Sequence, residues 1–210
     1  APVSAPSAST RISKLAVALS DAGRFEFWGW VRHNEPVPPS SPAWAYRVLL
    51  RGGGYSSRFT KFYYLVWVWQ VFWNLLWRGR TIVYCYGLEA SFAASLAAIF
   101  RRHKVIFDDP DRTSMLLADG PVKTAIILIE DYTAGASFLH LVPGTSRYKR
   151  VRKNMFVIPN VPSQADLEAA SRSDLVCRDD ERLTLYVNGW LGEARGMAML
   201  HAVADHYLSD

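Results

Sequence analysis

Residue types that commonly build metal centres and disulfide frameworks are scarce in this sequence, which has two cysteines and five histidines among 210 residues. Cys85 lies in a predicted strand and Cys177 lies far away in a polar stretch, so their spacing indicates neither a disulfide framework nor a metal pair. The histidines are scattered along the chain. We therefore expect no metal site, and the cysteine usage favours a reducing compartment.

Long apolar runs are also missing, since a membrane-spanning helix needs about 20 apolar residues. The most apolar stretch, 61–77, reads KFYYLVWVWQVFWNLLW and is interrupted by Gln70 and Asn74. Three interpretations remain open. The stretch is a helix packed under a sheet, an interfacial helix whose apolar face touches lipid and whose ends carry basic residues, or a transmembrane helix.

Positive charge is in excess, with a formal net charge of +5. The segment 147–153 reads RYKRVRK and contains five basic residues and no acidic one. Such a run is typical of a solvated helix face, and the alternatives are a site for anionic lipid headgroups or for a phosphate. Nucleic acid is disfavoured as a partner, because Tyr148 is the only aromatic residue in the run and no reader module accompanies it.

A second candidate for anion binding is Arg51-Gly52-Gly53-Gly54, whose backbone N–H groups would cradle a phosphate. The run lacks the Lys-Ser/Thr ending of a P-loop and the spacing of a dinucleotide fingerprint. The alternative is a flexible loop without a ligand.

The centre of the chain predicts a strand at 81–86, a helix at 89–100 and a second strand at 104–107. Strand, crossover helix and strand form the βαβ unit of a parallel sheet, so we predict an α/β fold with a doubly wound parallel sheet. Ligands of such sheets bind beyond the carboxyl ends of the strands. Gly87–Glu89 and Asp108–Arg112 should therefore lie on the same rim.

The remaining periodic segments extend this pattern: a helix at 11–22, helical or mixed structure at 114–133, and strands at 25–31, 138–142 and 155–158. A polar stretch follows, then a new strand and helix. We predict one domain at 1–165, a linker at 166–182 and the start of a second domain at 183–210. A doubly wound domain normally starts with a strand, so we expect that the first strand is missing and that the chain is a fragment.

Four short motifs carry a resemblance to a known family: Ser9-Thr10-Arg11-Ile12, Ile106-Phe107-Asp108-Asp109, Val157-Ile158-Pro159-Asn160, and Leu185–Gly189 with Arg195-Gly196. In this order they resemble the GT-B glycosyltransferases, in particular the bacterial group that builds exopolysaccharides and lipid-linked sugars. The resemblance implies an N-terminal Rossmann-like acceptor domain that lacks its first strand, followed by the beginning of a nucleotide-sugar domain. It also implies transfer of a sugar from a nucleotide sugar to an acceptor hydroxyl.

Glycosyl transfer needs an acceptor hydroxyl that is activated or oriented and a leaving group whose developing charge is stabilised. We predict that Asp109 or Asp111 serves the first need, although Asp108 before Asp109-Pro110 also suits a turn cap. Residues expected to bind substrate, on the resemblance and their placement, are Arg11, Gly87, Glu89, Arg112, Asn188, Gly189 and Arg195.

No cofactor is expected, because the nucleotide sugar serves as co-substrate. The expected partners are that donor and a lipid-linked or saccharide acceptor, in a cytoplasmic protein held peripherally at the inner face of the cell membrane. Two alternatives share the fold. One is a GT-B sugar-nucleotide epimerase or phosphorylase, and the other is a non-catalytic membrane-surface module.

Overall fold

The computed structural model describes residues 4, 10–23, 25–32, 35–37, 44–53, 59–159 and 168. The chain divides into two compact units, residues 1–160 and 161–210, and every element described below belongs to the first. The strand and helix predicted within 183–210, and with them Asn188, Gly189 and Arg195, lie outside the described residues. The proposed linker and the start of a second domain therefore stay predictions.

Four α-helices and six strands occur in the described residues. In chain order they are α1 (Thr10–Ala22), β1 (Phe25–Val31), β2 (Trp44–Arg51), α2 (Thr60–Leu76), β3 (Ile82–Tyr86), α3 (Leu88–Arg101), β4 (Lys104–Asp108), α4 (Pro121–Ala136), β5 (Leu139–Val142) and β6 (Met155–Val157). Short 3-10 turns lie at Thr113–Leu116 and Thr145–Arg147.

The strands form two parallel sheets. One contains β1 and β2, and the other contains β3, β4, β5 and β6 side by side in that order. All four strand pairs run parallel. This is an α/β fold compatible with a Rossmann-like domain, and the central unit β3-α3-β4 confirms the βαβ prediction.

Local sequence explains the ends of α3. Gly87 precedes the helix with φ of 85°, a conformation that only glycine adopts readily, and its N–H donates to the carbonyl of Asp108 at 2.9 Å. Arg102 ends the helix in the left-handed conformation, with its N–H bonded to the carbonyl of Ala98. The small side chains between them are buried, so α3 packs closely on the strands.

One apolar core joins both sheets through α2. The buried face of α2 carries Trp67, Val71 and Leu75, which cluster with Trp30 of β1 and Cys85 of β3. Burial raises the pKa of the Cys85 thiol to about 12. The packed-helix interpretation of 61–77 is thus confirmed for this face. Among the residues that the structure describes, no helix combines the length and apolar character needed to cross a membrane.

Two segments differ from the sequence prediction. The strand β2 was not predicted, because its neighbours are a proline-rich segment and a glycine run that indicate loops. The basic run 147–153 is not a helix, and only Arg147 belongs to a 3-10 turn. Arg147 and Arg152 instead contact Asp111 and Asp131 on neighbouring segments, partners that the local sequence does not reveal.

Candidate functional site

The carboxyl ends of β3, β4 and β5 meet on one rim. Tyr86 is paired with Asp108 across the first two strands, and the N–H of Asp109 donates to the carbonyl of Leu141 at 2.9 Å. The predicted placement of Gly87–Glu89 beside Asp108–Arg112 is therefore confirmed. The side chains on this rim divide into two groups, because successive residues at a strand end point to opposite faces of the sheet.

Asp108 points toward α1 and is fully buried. The guanidinium of Arg11 donates to both of its carboxylate oxygens, at 2.7–3.0 Å, and also to the carbonyl of Ile158 at 2.9 Å. The hydroxyl of Tyr84 donates to Asp108 as well. The hydrogen bond and charge of Asp108 raise the pKa of Arg11, and burial raises the pKa of Tyr84. Arg11, a predicted substrate-binding residue, thus connects α1 to the sheet.

Asp109 points to the other side, where α4 lies, and is 3% exposed. The hydroxyl of Tyr148 donates to its Oδ2 at 2.7 Å, and Nε2 of His140 lies 3.6 Å from the same oxygen. Neither ring nitrogen of His140 has a hydrogen-bond partner among the described residues. Burial raises the pKa of Tyr148, which keeps the hydroxyl protonated as a donor.

Two aromatic rings pack against the imidazole ring of His140. Its ring stacks on Phe107 with centroids 4.8 Å apart, and Tyr148 meets it edge-on at 5.4 Å. Buried polar groups are normally hydrogen-bonded, so an unsatisfied one needs an explanation, and a catalytic role is one such explanation. The pair of Asp109 and His140 therefore places a carboxylate beside an imidazole whose nitrogens have no hydrogen-bond partner among the described residues.

Arg112 is the second predicted residue on this side. Its Nε donates to Glu130 at 2.9 Å, and its Nη1 donates to the carbonyl of Arg147 at 3.1 Å. Glu130 also accepts from the backbone and hydroxyl of Ser114. The guanidinium lies 5.3 Å from the ring centre of Tyr148. Arg112 thus fixes the loop after β4 and the position of Tyr148.

Asp111 has a different environment from Asp109. The two residues belong to Asp109-Pro110-Asp111, which has the Asp-x-Asp spacing of some metal sites. Its side chain is 58% exposed and accepts from Arg147 at 3.0 Å. The described residues contain no group of three or more His, Cys, Asp or Glu side chains that could hold a metal ion. Of the two predicted catalytic aspartates, Asp109 is the one the fold buries beside other polar groups.

Glu89 starts α3 on the same rim. Burial raises the pKa of its carboxyl group, and the nearby negative charge of Asp109 raises it further. A Cβ atom added to Gly87 would lie 3.3 Å from Oε2 of Glu89, so glycine leaves room for this side chain. The carboxylate of Asp109 is therefore close enough to Glu89 to influence the ionisation of Glu89.

A cavity of about 660 Å³, hereafter the basic cavity, opens beside Asp109 and His140. Four acidic and six basic side chains line it, so its net charge is positive. The basic ones are Arg112, Lys123, Arg147, Lys149, Arg150 and Arg152. The basic run 147–153 thus contributes to a concave site, as its phosphate interpretation requires.

The glycine run after β2 is partly described. Gly52 accepts a hydrogen bond from Nε1 of Trp30 at 2.8 Å, and its N–H donates to Val31. Gly52 and Gly53 both have positive φ and lie against the ring of Tyr63. Close packing explains these two glycines without a ligand, while Gly54 lies outside the described residues.

The sequence prediction missed His140, Tyr148 and Glu130. The available signal was a single histidine inside the apolar segment FLHLV, in a strand next to the one that ends at Asp108. Comparison with known proteins adds no assignment, because neither a scan against protein-family models nor a search of curated proteins found a match to this chain.

Proposed function

We propose that this chain carries the acceptor side of a glycosyltransferase active site, in the N-terminal domain of a GT-B fold. The observation that carries the proposal is the buried carboxylate of Asp109 at the carboxyl end of β4. It lies 3.6 Å from a histidine without a hydrogen-bond partner among the described residues, at the wall of the basic cavity. Acid–base groups and an anion-attracting cavity at the sheet rim suit this reaction.

In the proposed reaction the acceptor hydroxyl oxygen forms a bond to the anomeric carbon of the donor. The bond from that carbon to the nucleotide diphosphate breaks, and the electron pair leaves with the diphosphate. The hydroxyl proton passes to Asp109, directly or through His140. Tyr148 orients Asp109 by its hydrogen bond, and the basic side chains of the cavity bind anionic groups of acceptor or donor.

The geometry ranks the predicted site residues. Asp109 is the proposed base, and Asp111 is the weaker candidate because it is exposed and bound to Arg147. Glu89 remains a proposed contact for acceptor hydroxyls beside Gly87. Arg11 and Arg112 are proposed to position the rim, since each is held by a buried carboxylate. The donor contacts of Asn188, Gly189 and Arg195 remain proposals from the resemblance.

The test measures transfer and hydrolysis of a panel of nucleotide sugars by the full-length protein. Asp109→Asn is expected to lower turnover about 10²-fold or more, while Asp111→Asn has a smaller effect. Asp119→Asn is the matched control, because Asp119 also lines the basic cavity and is exposed. Near-normal rates in both the Asp109 and Asp111 variants would contradict the assignment. Conversion of a nucleotide sugar into an isomeric nucleotide sugar without an acceptor would favour an epimerase, and cleavage of a saccharide by inorganic phosphate would favour a phosphorylase.

A second observation supports membrane association. The outward face of α2 and the residue after it form an aromatic stripe, consisting of the exposed residues Phe62, Leu65, Trp69, Trp73 and Trp77. The rings of Trp69 and Trp73 stack at 5.5 Å. Exposed Lys61 and Arg80 lie near its two ends. Tryptophan and basic residues together favour the interface of an anionic bilayer, so we propose that this face binds a membrane surface that holds a lipid-linked acceptor.

Vesicle sedimentation tests the stripe with phosphatidylcholine alone and with phosphatidylcholine containing phosphatidylglycerol. The double variant Trp69→Ser, Trp73→Ser is expected to lose most of the binding to the anionic vesicles. The matched control is Val122→Ser with Leu128→Ser, because these two apolar residues are comparably exposed on α4. Equal binding by both double variants, or no preference for anionic lipid at low salt, contradicts the proposal.

A further inference from the structure

The C-terminal ends of α2 and α3 are held side by side. Nε of Arg101, the last residue of α3, donates to the carbonyl of Leu76, the last residue of α2. Nε2 of His103 lies 3.0 Å from the carbonyl oxygen of Leu75, and its Nδ1 accepts from the N–H of Thr81 at 3.3 Å. The segments that follow the two helices therefore lie together at the amino ends of β3 and β4.

This end of the helices exposes two large apolar side chains and three arginines. Ile99 and Phe100 are 64% and 67% exposed. Arg80, Arg101 and Arg102 are exposed as well, and none of the three forms an ion pair among the described residues. We call these five residues the arginine patch.

The arginine patch continues the aromatic stripe of α2. Trp77, the last residue of the stripe, directly follows Leu76, whose carbonyl binds Arg101. The charge there has one sign, because the sequence from Leu76 to Phe107 contains a single acidic residue, Glu89, in the first turn of α3 at its opposite end. Apolar side chains beside arginines are complementary to the headgroups and the acyl boundary of an anionic bilayer.

Arg102 has a backbone conformation that favours a different residue. It ends α3 at φ 56° and ψ 35°, in the left-handed region, and no other described non-glycine residue has a positive φ. Glycine is the usual residue at such a helix end, because a side chain is disfavoured there. A cation at a helix C-terminus gains only a modest electrostatic benefit. An arginine in this position therefore points to a use for its charge.

We propose that the arginine patch binds the phosphate groups of anionic lipid headgroups, while Ile99 and Phe100 enter the acyl boundary of the bilayer. The inference deepens the membrane association proposed for the aromatic stripe and rests on it, because a bilayer along the outward face of α2 reaches the patch at the end of that helix. The patch does not line the basic cavity, so its ligand is a surface rather than a small enclosed molecule.

Vesicle sedimentation of the whole chain at low salt tests the patch. The vesicles contain phosphatidylcholine alone, or phosphatidylcholine and phosphatidylglycerol in equal amounts. Arg80→Gln with Arg102→Gly is expected to weaken binding to the anionic vesicles at least about tenfold, since each basic residue near such a surface contributes roughly fivefold. The matched control is Arg51→Gln with Lys153→Gln, which removes equal charge from exposed positions outside the patch. A similar loss in both double variants overturns the proposal.

A second measurement separates binding from folding. Arg102→Gly alone should leave stability in urea unchanged or raise it, because glycine suits the left-handed conformation, and it should still weaken binding to the anionic vesicles. A loss of stability would show that this arginine serves the fold, which overturns the proposal.

The apolar part of the patch is tested separately. Ile99→Ser with Phe100→Ser should weaken binding to vesicles of both compositions. The matched control is again Val122→Ser with Leu128→Ser, which are comparably exposed on α4. Equal binding by the two double variants would show that the end of α3 does not enter the bilayer.

Three further outcomes would overturn the proposal. In the first, the Trp69 and Trp73 variant loses binding and the patch variants do not, so the stripe alone contacts the membrane. In the second, soluble glycerophosphate at matched ionic strength displaces the protein from anionic vesicles, so a free phosphate compound is the ligand. In the third, the patch variants dissociate a dimer, so a second copy covers the patch. None of these measurements uses a sugar donor, so the glycosyltransferase assignment can fail separately.

Discussion

The basic cavity and a second cavity, lined by residues of β1, β3 and the helices around them, have nearly the same volume, about 660 and 670 Å³, but opposite chemistry. Charged groups of both signs line the basic cavity, with a positive excess. In the second cavity the charged residues Glu26 and Arg78 bind each other, and the other walls are largely apolar. Volume alone therefore does not identify an active site. The groups that line a cavity are more informative, and those of the basic cavity suit an anionic ligand.

Asp108 and Asp109 show the same contrast at the level of single residues. Both are buried at the end of β4. Asp108 is held by Arg11 and Tyr84 on the side of α1, whereas Asp109 faces an imidazole without a hydrogen-bond partner among the described residues. Asp108 therefore joins α1 to the sheet, whereas Asp109 is the carboxylate that we propose for chemistry.

The largest expected effect concerns Asp108. Asp108→Ala leaves the guanidinium of Arg11 without its carboxylate, and breaking a buried ion pair costs about 3–5 kcal/mol of unfolding free energy. Urea denaturation measures this cost. Asp111→Ala is the control, because its exposed pair with Arg147 contributes less than about 1 kcal/mol. Equal losses in both variants would remove the distinction between the two sides of β4.

The next effect concerns the binding of an anion in the basic cavity. Pyrophosphate is expected to bind in the basic cavity, and Lys149→Ala with Arg150→Ala should weaken binding roughly tenfold, or about 1.4 kcal/mol. Titration calorimetry gives the affinity. The control is Lys153→Ala with Arg102→Ala, which removes equal charge from exposed positions outside the cavity lining. A similar loss in the control would indicate a general charge effect.

A smaller effect of opposite sign is expected for His140→Phe. The change removes two buried nitrogens without partners among the described residues and keeps a ring that stacks on Phe107. Unfolding free energy should stay unchanged or rise by about 1 kcal/mol, while turnover falls. A variant that is both less stable and fully active would show that His140 is a packing residue only.

The smallest effect is a pH dependence from Glu89. Its pKa is raised in the folded state, so folding takes up protons and the neutral carboxyl favours the fold at low pH. This stability is lost as pH rises through the raised pKa. Glu89→Gln should therefore become more stable relative to the original chain as pH increases above about 4.3, the ordinary pKa of glutamate. Denaturation curves at several pH values measure the difference, and a difference independent of pH contradicts it.

Much of the secondary structure was predictable from local pattern. The strand at 25–31 was predicted with its observed bounds, and the central β3-α3-β4 unit within two residues. β2 was missed because its pairing with β1 is a contact between distant residues. The helix prediction for 147–153 was wrong because acidic residues on other segments hold its arginines.

The candidate site was predictable only in part. Parallel strands place their carboxyl ends together, which was enough to bring Gly87–Glu89 and Asp108–Arg112 to one rim. The prediction chose Asp109 and Asp111 over Asp108, but it did not foresee that Arg11 and Tyr84 hold Asp108 or that Asp109 lies beside His140, since these contacts depend on which face of the sheet each side chain occupies. His140 and Tyr148 come from later segments, so only folding brings them to Asp109.

By itself, the sequence determined the alternation of strands and helices, the parallel sheet and the position of an acidic rim, because periodicity and strand direction are local properties of the chain. The tertiary structure decided which carboxylate is satisfied and which face of α2 is exposed. These are properties of contacts between distant segments, and burial and hydrogen bonding assign them only after the segments have packed.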